Sequence, residues 1–127
     1  MENPKNLSYS KSHEWVEFTG ETTAKMGLTD FAQNSLGGIV FINLPEEGDE
    51  LAAGESYGDI ESVKAVYDII SPLSGTVTAV NSDLLDTPER INEAPYEAWL
   101  VEVSDITARD EMISAAEYEA FCAEEEN

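Results

Sequence analysis

Positive charge is scarce in this sequence. The chain has six Lys and Arg residues against 27 Asp and Glu residues among 127, which gives a formal net charge of −21 at pH 7. Such a surface repels a phosphate backbone and an anionic bilayer, so neither nucleic acid nor a membrane is expected as a partner. The charge favours partners with basic faces, or simply high solubility.

Several other features are absent. Cys122 is the single cysteine, which excludes an internal disulfide and a cysteine metal cluster. No apolar run approaches the roughly 18 residues of a membrane span. The N-terminus has neither the apolar core of a signal peptide nor the Arg-rich composition of a transit peptide, so a cytoplasmic protein is expected. We find no nucleophile motif, metal-ligand spacing or phosphate loop, so we expect neither a metal site nor catalytic residues.

The pattern that is present is strand-like alternation. A hydrophobic content of 42 % and a charged content of 26 % are ordinary for a globular protein, and the length predicts one domain over residues 1–127. Period-2 alternation and regularly spaced glycines run through the first hundred residues, which predicts a mainly β fold, a small barrel or sandwich with its core over 12–104. A short helix is predicted near 30–36, capped by Thr29 and stopped by Gly37-Gly38.

The end of the chain has a different period. From Thr107 the pattern becomes helical, and it predicts a helical segment over 107–123. Ser114 and Glu117 have the spacing of a capping box. The apolar residues expected to pack on the core from one face of this helix are Ile113, Ala116, Ala120 and Phe121.

Lys64 lies in an acidic segment between two predicted strands, Tyr57 to Ser62 and Ala65 to Ile70. The connection is Val63-Lys64, which puts the lysine at a hairpin tip. Neighbouring carboxylates favour the charged amine, which opposes a Schiff-base role, and no glycine-rich loop precedes it to bind phosphate. Acylation of the amine needs only exposure on a rigid scaffold, so an attachment point is the chemistry that fits best.

Segments along most of the chain resemble the glycine cleavage system H-protein family, within the biotinyl/lipoyl carrier superfamily. Val63 and Ala65 flank the lysine where biotin carriers have methionines, which resembles the lipoyl type. The matching segments, in the family's order, are SHEWV (12–16), GIVFINLP (38–45), ESVKA (61–65), SPLSG (71–75), Asn92, Pro95-Tyr96, Trp99 and SAAEYEAF (114–121). The chain departs from the family at Gly37-Gly38, where Gly-Asp is usual, and at 95–99, which is one residue shorter and lacks a glycine.

The resemblance implies a lipoyl-domain-like fold, a barrel-sandwich hybrid, and a carrier with no catalysis of its own. Lipoate would be joined to Lys64 as an amide by a lipoylating enzyme, with Glu61 as a recognition residue. The carrier would take an aminomethyl group from the glycine decarboxylase (P-protein) to the aminomethyltransferase (T-protein). It would be reoxidised by the dihydrolipoyl dehydrogenase (L-protein). A monomer suits such a shuttle.

The resemblance also implies a cleft that protects the loaded arm, with Ser12, Glu14 and Asp68 facing the amine. Simpler roles stay open. Glu61 could be a cross-strand polar residue, Glu14 could be an edge-strand charge that blocks sheet pairing, and His13 reads as structural rather than as a base. The aromatic residues expected in the core or on a sheet face are Trp15, Phe41, Tyr67 and Trp99.

Two other functions remain compatible with the residues. An H-like protein could pass lipoyl groups to other carriers, or act as an adaptor that has lost the shuttle role. Neighbouring genes for P- and T-proteins would favour glycine cleavage, whereas genes for lipoate transfer would favour the relay. An enzyme in its own right would have to show activity without lipoate or partners.

Overall fold

The computed structural model describes residues 3–126, which form strands in two sheets and four helices. The strands are β1 (Ser8–Ser10), β2 (Glu14–Phe18), β3 (Ala24–Leu28), β4 (Ile39–Asn43), β5 (Glu50–Leu51), β6 (Ser56–Ser62), β7 (Val66–Ile70), β8 (Leu73–Val80), β9 (Val101–Arg109) and β10 (Met112–Ile113). Seven strands form one sheet in the order β10-β1-β2-β3-β9-β8-β5, and three form the other in the order β4-β6-β7. The mainly β prediction is confirmed, as two sheets rather than a closed barrel.

The two sheets share one hydrophobic core. The larger sheet contributes Met26 and Val101 to it, and the smaller sheet contributes Ile42, Ile60 and Ile69, each at most 2 % exposed. Apolar side chains at alternate positions of β6 and β7 point inward, which buries one face of the smaller sheet and leaves the other to solvent. The hairpin that carries Lys64 is therefore anchored by its inner face.

The helices are short except for the last. They are α1 (Asp30–Leu36), α2 (Asp83–Asp86), α3 (Arg90–Glu93) and α4 (Ala115–Glu126). The predicted cap of α1 is confirmed, because the Ala32 amide donates to Thr29 Oγ1 at 3.2 Å. Gly37 ends the helix with φ +75°, a conformation that favours glycine. No helix within residues 3–126 is long and apolar enough to cross a membrane.

The predicted helical segment over 107–123 began too early. β9 continues to Arg109, which pairs with Leu73 of β8, and the helix begins only at Ala115. Hydrogen bonds to a neighbouring strand therefore override the local helical pattern of 107–109. The expected capping box is present, since the Glu117 amide donates to Ser114 Oγ at 3.2 Å and the Ser114 amide to Glu117 Oε1 at 3.1 Å.

The expected apolar stripe is confirmed at Ile113 and Phe121, which are partly buried against the core, and is wrong at its two alanines. Ala116 and Ala120 are exposed, and the buried positions are Ala115, Tyr118 and Cys122. The Tyr118 ring stacks on the ring of Tyr9 in β1, with centroids 4.7 Å apart. The large aromatic ring sets the phase of the helix, because it buries far more surface than an alanine does.

Candidate functional site

Lys64 is exposed in the connection between β6 and β7. The connection consists of Val63, Lys64 and Ala65, one residue longer than the two predicted, because β7 begins at Val66. Ser62 closes the turn: its Oγ accepts from the Lys64 and Ala65 amides at 3.2 and 3.1 Å, and its amide donates to the Ala65 carbonyl at 2.9 Å. The backbone under the lysine is thus fixed while its amine is free to react.

A second segment supports the tip from the side. The Val63 amide donates to the Gly38 carbonyl at 3.0 Å, and the Lys64 side chain runs past Gly37, where an added Cβ would lie 3.4 Å from Lys64 Cε. Asn92 holds this segment, because its side chain donates to the Gly37 carbonyl at 2.8 Å and accepts from the Ile39 amide at 2.9 Å. The Gly37-Gly38 departure from the family pattern therefore lies against the lysine.

Glu14 is completely buried, which excludes its reading as an edge-strand charge. Its Oε1 accepts from Ser10 Oγ at 2.8 Å and from Ser12 Oγ at 2.5 Å. Its Oε2 lies 3.3 Å from the hydroxyl of Tyr67, which also lies 2.5 Å from the Ser12 carbonyl oxygen. We call Ser10, Ser12, Glu14 and Tyr67 the carboxyl cluster.

Burial dominates the electrostatics of this cluster. Desolvation raises the pKa of Glu14 to about 7, and hydrogen bonds from the Ser12 and Ser10 hydroxyls limit the rise. Among the described residues Glu14 has no ion pair. Burial and the nearby Glu14 also raise the pKa values of Tyr67 and Tyr57. The Tyr57 hydroxyl is buried without a hydrogen-bond partner in the described part of the chain.

An apolar pocket of about 250 Å³ is lined in part by Tyr67, the same residue whose hydroxyl lies beside Glu14. Its lining residues are His13, Phe31, Ala32, Ser35, Leu36, Tyr67 and Glu125. Tyr67 belongs to β7, three residues from Lys64, so a long group attached to the lysine has this pocket within reach. The pocket offers apolar walls to a chain, and Glu14, which does not line it, lies behind Tyr67.

The C-terminal helix closes one wall of this pocket. His13 has an unusual φ of +68°, and its ring stacks on Phe31 with centroids 4.6 Å apart. Its two nitrogens bind α4, Nδ1 to the Tyr118 hydroxyl at 2.7 Å and Nε2 to Glu125 Oε2 at 2.8 Å. Both nitrogens are thus in structural hydrogen bonds, in agreement with the structural reading of His13.

The solvent-facing side of the three-stranded sheet is apolar near the lysine and acidic further away. We call it the outer face. Phe41, Glu61 and Val66 form one cross-strand row on it, with Phe41 47 % and Val66 68 % exposed. Asp59 and Asp68 are paired across the next row, an arrangement of like charges that disfavours the isolated sheet.

The structure brings together only some of the predicted site residues. Ser12 and Glu14 lie in the carboxyl cluster, whereas exposed Asp68 follows Tyr67 in the strand and its side chain leaves the sheet on the outer face. Tyr67 takes the place expected of Asp68 beside Glu14. The sequence predicts Tyr67 in the core or on a sheet face. Its apolar neighbour Ile69, two residues later on the same face of the strand, is the sequence signal that residue 67 points inward. Glu61 is exposed on the outer face, beside the tip.

Comparisons with known proteins identify the family to which the chain is similar. A family model described as glycine cleavage H-protein matches residues 7–125. The chain is 56 % identical over 120 residues to the glycine cleavage system H protein of Lachnoclostridium phytofermentans, covering 94 % of each chain. It is 47 % identical over 127 residues to that of Acidobacterium capsulatum, covering 98 % of each. A crystal structure of a glycine cleavage system H protein from Mycobacterium marinum superposes with a TM-score of 0.88 at 40 % identity, over 93 % of this chain and 97 % of that one.

Proposed function

The chain belongs to the glycine cleavage H-protein family, and on that premise we propose that it is the lipoyl carrier of a glycine cleavage system, with Lys64 as the attachment residue. The observation that carries the proposal is the position of Lys64, an exposed amine on a turn whose backbone is fixed by Ser62 and Gly38. The carrier is proposed to act as a cytoplasmic monomer without catalytic residues of its own.

Lys64 suits amide formation with lipoate for two reasons. The turn presents the amine on a rigid hairpin, so a modifying enzyme meets the same geometry in every molecule. The amide removes one of only six basic charges, and the apolar tip residue Val63, 71 % exposed, and Gly37 then border an uncharged chain. No pocket around Lys64 is required for the modification itself.

Attached to Lys64, the lipoyl group would supply a disulfide that opens to take an aminomethyl group on one sulfur and, as the dithiol left after transfer, can be reoxidised; the P-, T- and L-proteins are its proposed partners. The chemistry belongs to the arm and to these enzymes, and the chain contributes position and protection. Because the chain has a net charge of −21, it is proposed to dock on basic faces of its partner enzymes.

The pocket behind the hairpin is proposed to shelter the arm. Phe31 and Leu36 give it apolar walls that exclude water, and Tyr67 separates it from Glu14. Glu14 and Ser12 are proposed to hold an amine at the arm's end, since a buried carboxyl group attracts a cation strongly. The shelter is proposed without Asp68, because that residue lies on the outer face.

Glu61 is proposed to take part in recognition by the lipoylating enzyme. It stands on the outer face between Phe41 and Val66, so an enzyme that reaches Lys64 over this face contacts all three. Exposed apolar side chains beside one carboxylate offer both contact area and orientation. This combination supports docking more than a role in the stability of the sheet.

The test is the intact mass of the protein purified from its own source, with the modified peptide mapped. A mass increase of one lipoyl group on Lys64 is expected, together with its loss in Lys64→Arg and its retention in Lys11→Arg. Unmodified Lys64 in cells whose other lipoyl proteins are fully loaded would overturn the attachment. A lipoylated protein that supports no glycine cleavage with P-, T- and L-proteins would point to the lipoyl relay.

The shelter needs a separate measurement on the lipoylated protein. The lifetime of the loaded arm is expected to shorten in Glu14→Ala and to be unchanged in Asp68→Ala. Equal lifetimes of the loaded arm in the wild type and Glu14→Ala would contradict the role of Glu14. A shortened lifetime in Asp68→Ala would show that Asp68 also protects the arm.

A further inference from the structure

His13 has a backbone conformation that normally belongs to glycine. Residues 11–13 connect β1 to β2, and the His13 amide donates to the Ser10 carbonyl at 3.2 Å, as in a three-residue hairpin loop that ends in a left-handed residue. His13 takes that last place with φ +68°. A residue with a Cβ is strained there, so we expect the imidazole to make contacts that a glycine could not.

The imidazole ring of His13 is held in place before it reaches α4. The ring stacks on Phe31 with centroids 4.6 Å apart, and its Nδ1 lies 2.7 Å from the Tyr118 hydroxyl. That hydroxyl also lies 2.6 Å from Oγ1 of Thr29, the N-cap of α1. Nε2 is therefore aimed at Glu125 Oε2, 2.8 Å away. A donor that is already oriented loses little conformational freedom when it makes its bond.

The last turn of α4 has little else to stabilise it. The buried residues of this helix end at Cys122, and residues 123–125 are exposed. Glu124 and Glu125 lie at the negative end of the helix dipole, and the last turn of α4 contains no basic residue within the helix range Ala115–Glu126. A carboxylate can only accept, so His13 Nε2 carries the hydrogen and donates it to Glu125.

We propose that the last turn of α4 is a lid on the pocket lined by Tyr67, and that His13 is the positioning residue that holds the lid closed. His13 and Glu125 both line this pocket, so breaking their contact and unwinding the turn beyond Cys122 removes part of its wall. The identity of the occupant as the lipoyl arm rests on the proposed function. The contact that holds the turn does not depend on it.

The hold on the turn is tested by amide hydrogen exchange at residues 123–125, on the full chain without lipoate. Glu125→Ala and Glu124→Ala each remove one charge from this turn, but Glu125 contacts His13 whereas Glu124 borders a separate cleft with Lys11. Protection in Glu125→Ala is expected to be about threefold lower than in Glu124→Ala, the effect of one partly exposed ion pair. Equal protection in the two variants would overturn the role of His13.

The other side of the contact is tested with His13→Asn. Asparagine adopts the left-handed conformation readily, so this variant keeps the hairpin loop and removes the imidazole. Protection of residues 123–125 is expected to fall at least as far as in Glu125→Ala, and adding Glu125→Ala to His13→Asn is expected to change nothing further. Losses that add in the double variant would mean that the two residues act separately, and would overturn the proposal.

The lid itself is tested on the lipoylated protein, by the lifetime of the loaded arm. Glu125→Ala is expected to shorten this lifetime about threefold relative to Glu124→Ala, in step with the loss of protection, because water enters an open pocket. Equal lifetimes with unequal protection would overturn the lid. Absence of lipoate from Lys64 would overturn the proposed function instead, and hydrogen exchange would still decide whether His13 holds the turn.

Discussion

The Nε2 atom of His13 lies 2.8 Å from Glu125 Oε2, which joins the β1–β2 turn to the C-terminal helix across 112 residues of sequence. The same imidazole reaches the Tyr118 hydroxyl through Nδ1. His13 and Glu125 both line the pocket that we propose for the arm. The helix is therefore part of the site, although none of its residues were predicted to be.

The two contacts of His13 are expected to differ in strength. Tyr118 is fully buried and its hydroxyl bonds both His13 and Thr29, so Tyr118→Phe should lower the free energy of unfolding by about 2 kcal/mol. The Glu125 side chain is 41 % exposed, so Glu125→Gln should cost less than about 1 kcal/mol. Urea denaturation at pH 7.5 measures both, and a larger loss in Glu125→Gln would reverse this assignment.

Tyr57→Phe is expected to leave stability unchanged or to raise it by up to about 1 kcal/mol. Its hydroxyl is buried without a partner in the described residues, so removing it relieves a desolvation cost and breaks no described hydrogen bond. Tyr118→Phe serves as the matched comparison, since there the same change leaves partners unsatisfied. A loss of more than 1 kcal/mol in Tyr57→Phe would mean that its hydroxyl has a partner in solution.

Glu14 should make stability decrease with pH. The folded carboxyl has a pKa near 7 and the unfolded one near 4.5, so between these values the folded state holds a proton that the unfolded state has lost. The stabilisation of the folded state by protonated Glu14 is fully present below pH 4.5 and is lost as pH rises through 7. The total loss in the free energy of unfolding is about 3 kcal/mol. Glu14→Gln should remove this loss.

The measurement is urea denaturation of the wild type and Glu14→Gln at several pH values from 5.5 to 8.5. The difference between the two proteins cancels the contribution of the other acidic groups, and the variant should gain relative stability as pH rises. A constant difference over this range would show that Glu14 has the same pKa in both states.

Glu61→Gln is expected to slow lipoyl attachment at Lys64 at least about tenfold, the effect of losing roughly 1.4 kcal/mol of binding to the modifying enzyme. Asp59→Asn is the control, since it removes a charge from the same face one cross-strand row away. The rate is followed by intact mass with purified lipoylating enzyme. Equal rates for both variants would leave Glu61 as a cross-strand polar residue.

The sequence by itself determined the features whose causes are local. Alternation gave the strands of the Lys64 hairpin, Thr29 and Gly37 fixed the ends of α1, and Ser114 with Glu117 formed the predicted cap. These signals lie within a few residues of the structure they produce, so no partner segment is needed to read them. The family was also readable, because its motifs recur in order along the chain.

Only the tertiary structure decided which side chains point into the core and which point to solvent. A strand reverses its faces with each residue, so Tyr67 rather than Asp68 meets Glu14, and the pairing with β6 fixes that choice. The burial of Glu14 depends on the packing of one sheet against the other, and the continuation of β9 to Arg109 depends on β8. Such contacts join residues far apart in the chain, where local pattern carries no information about their distance.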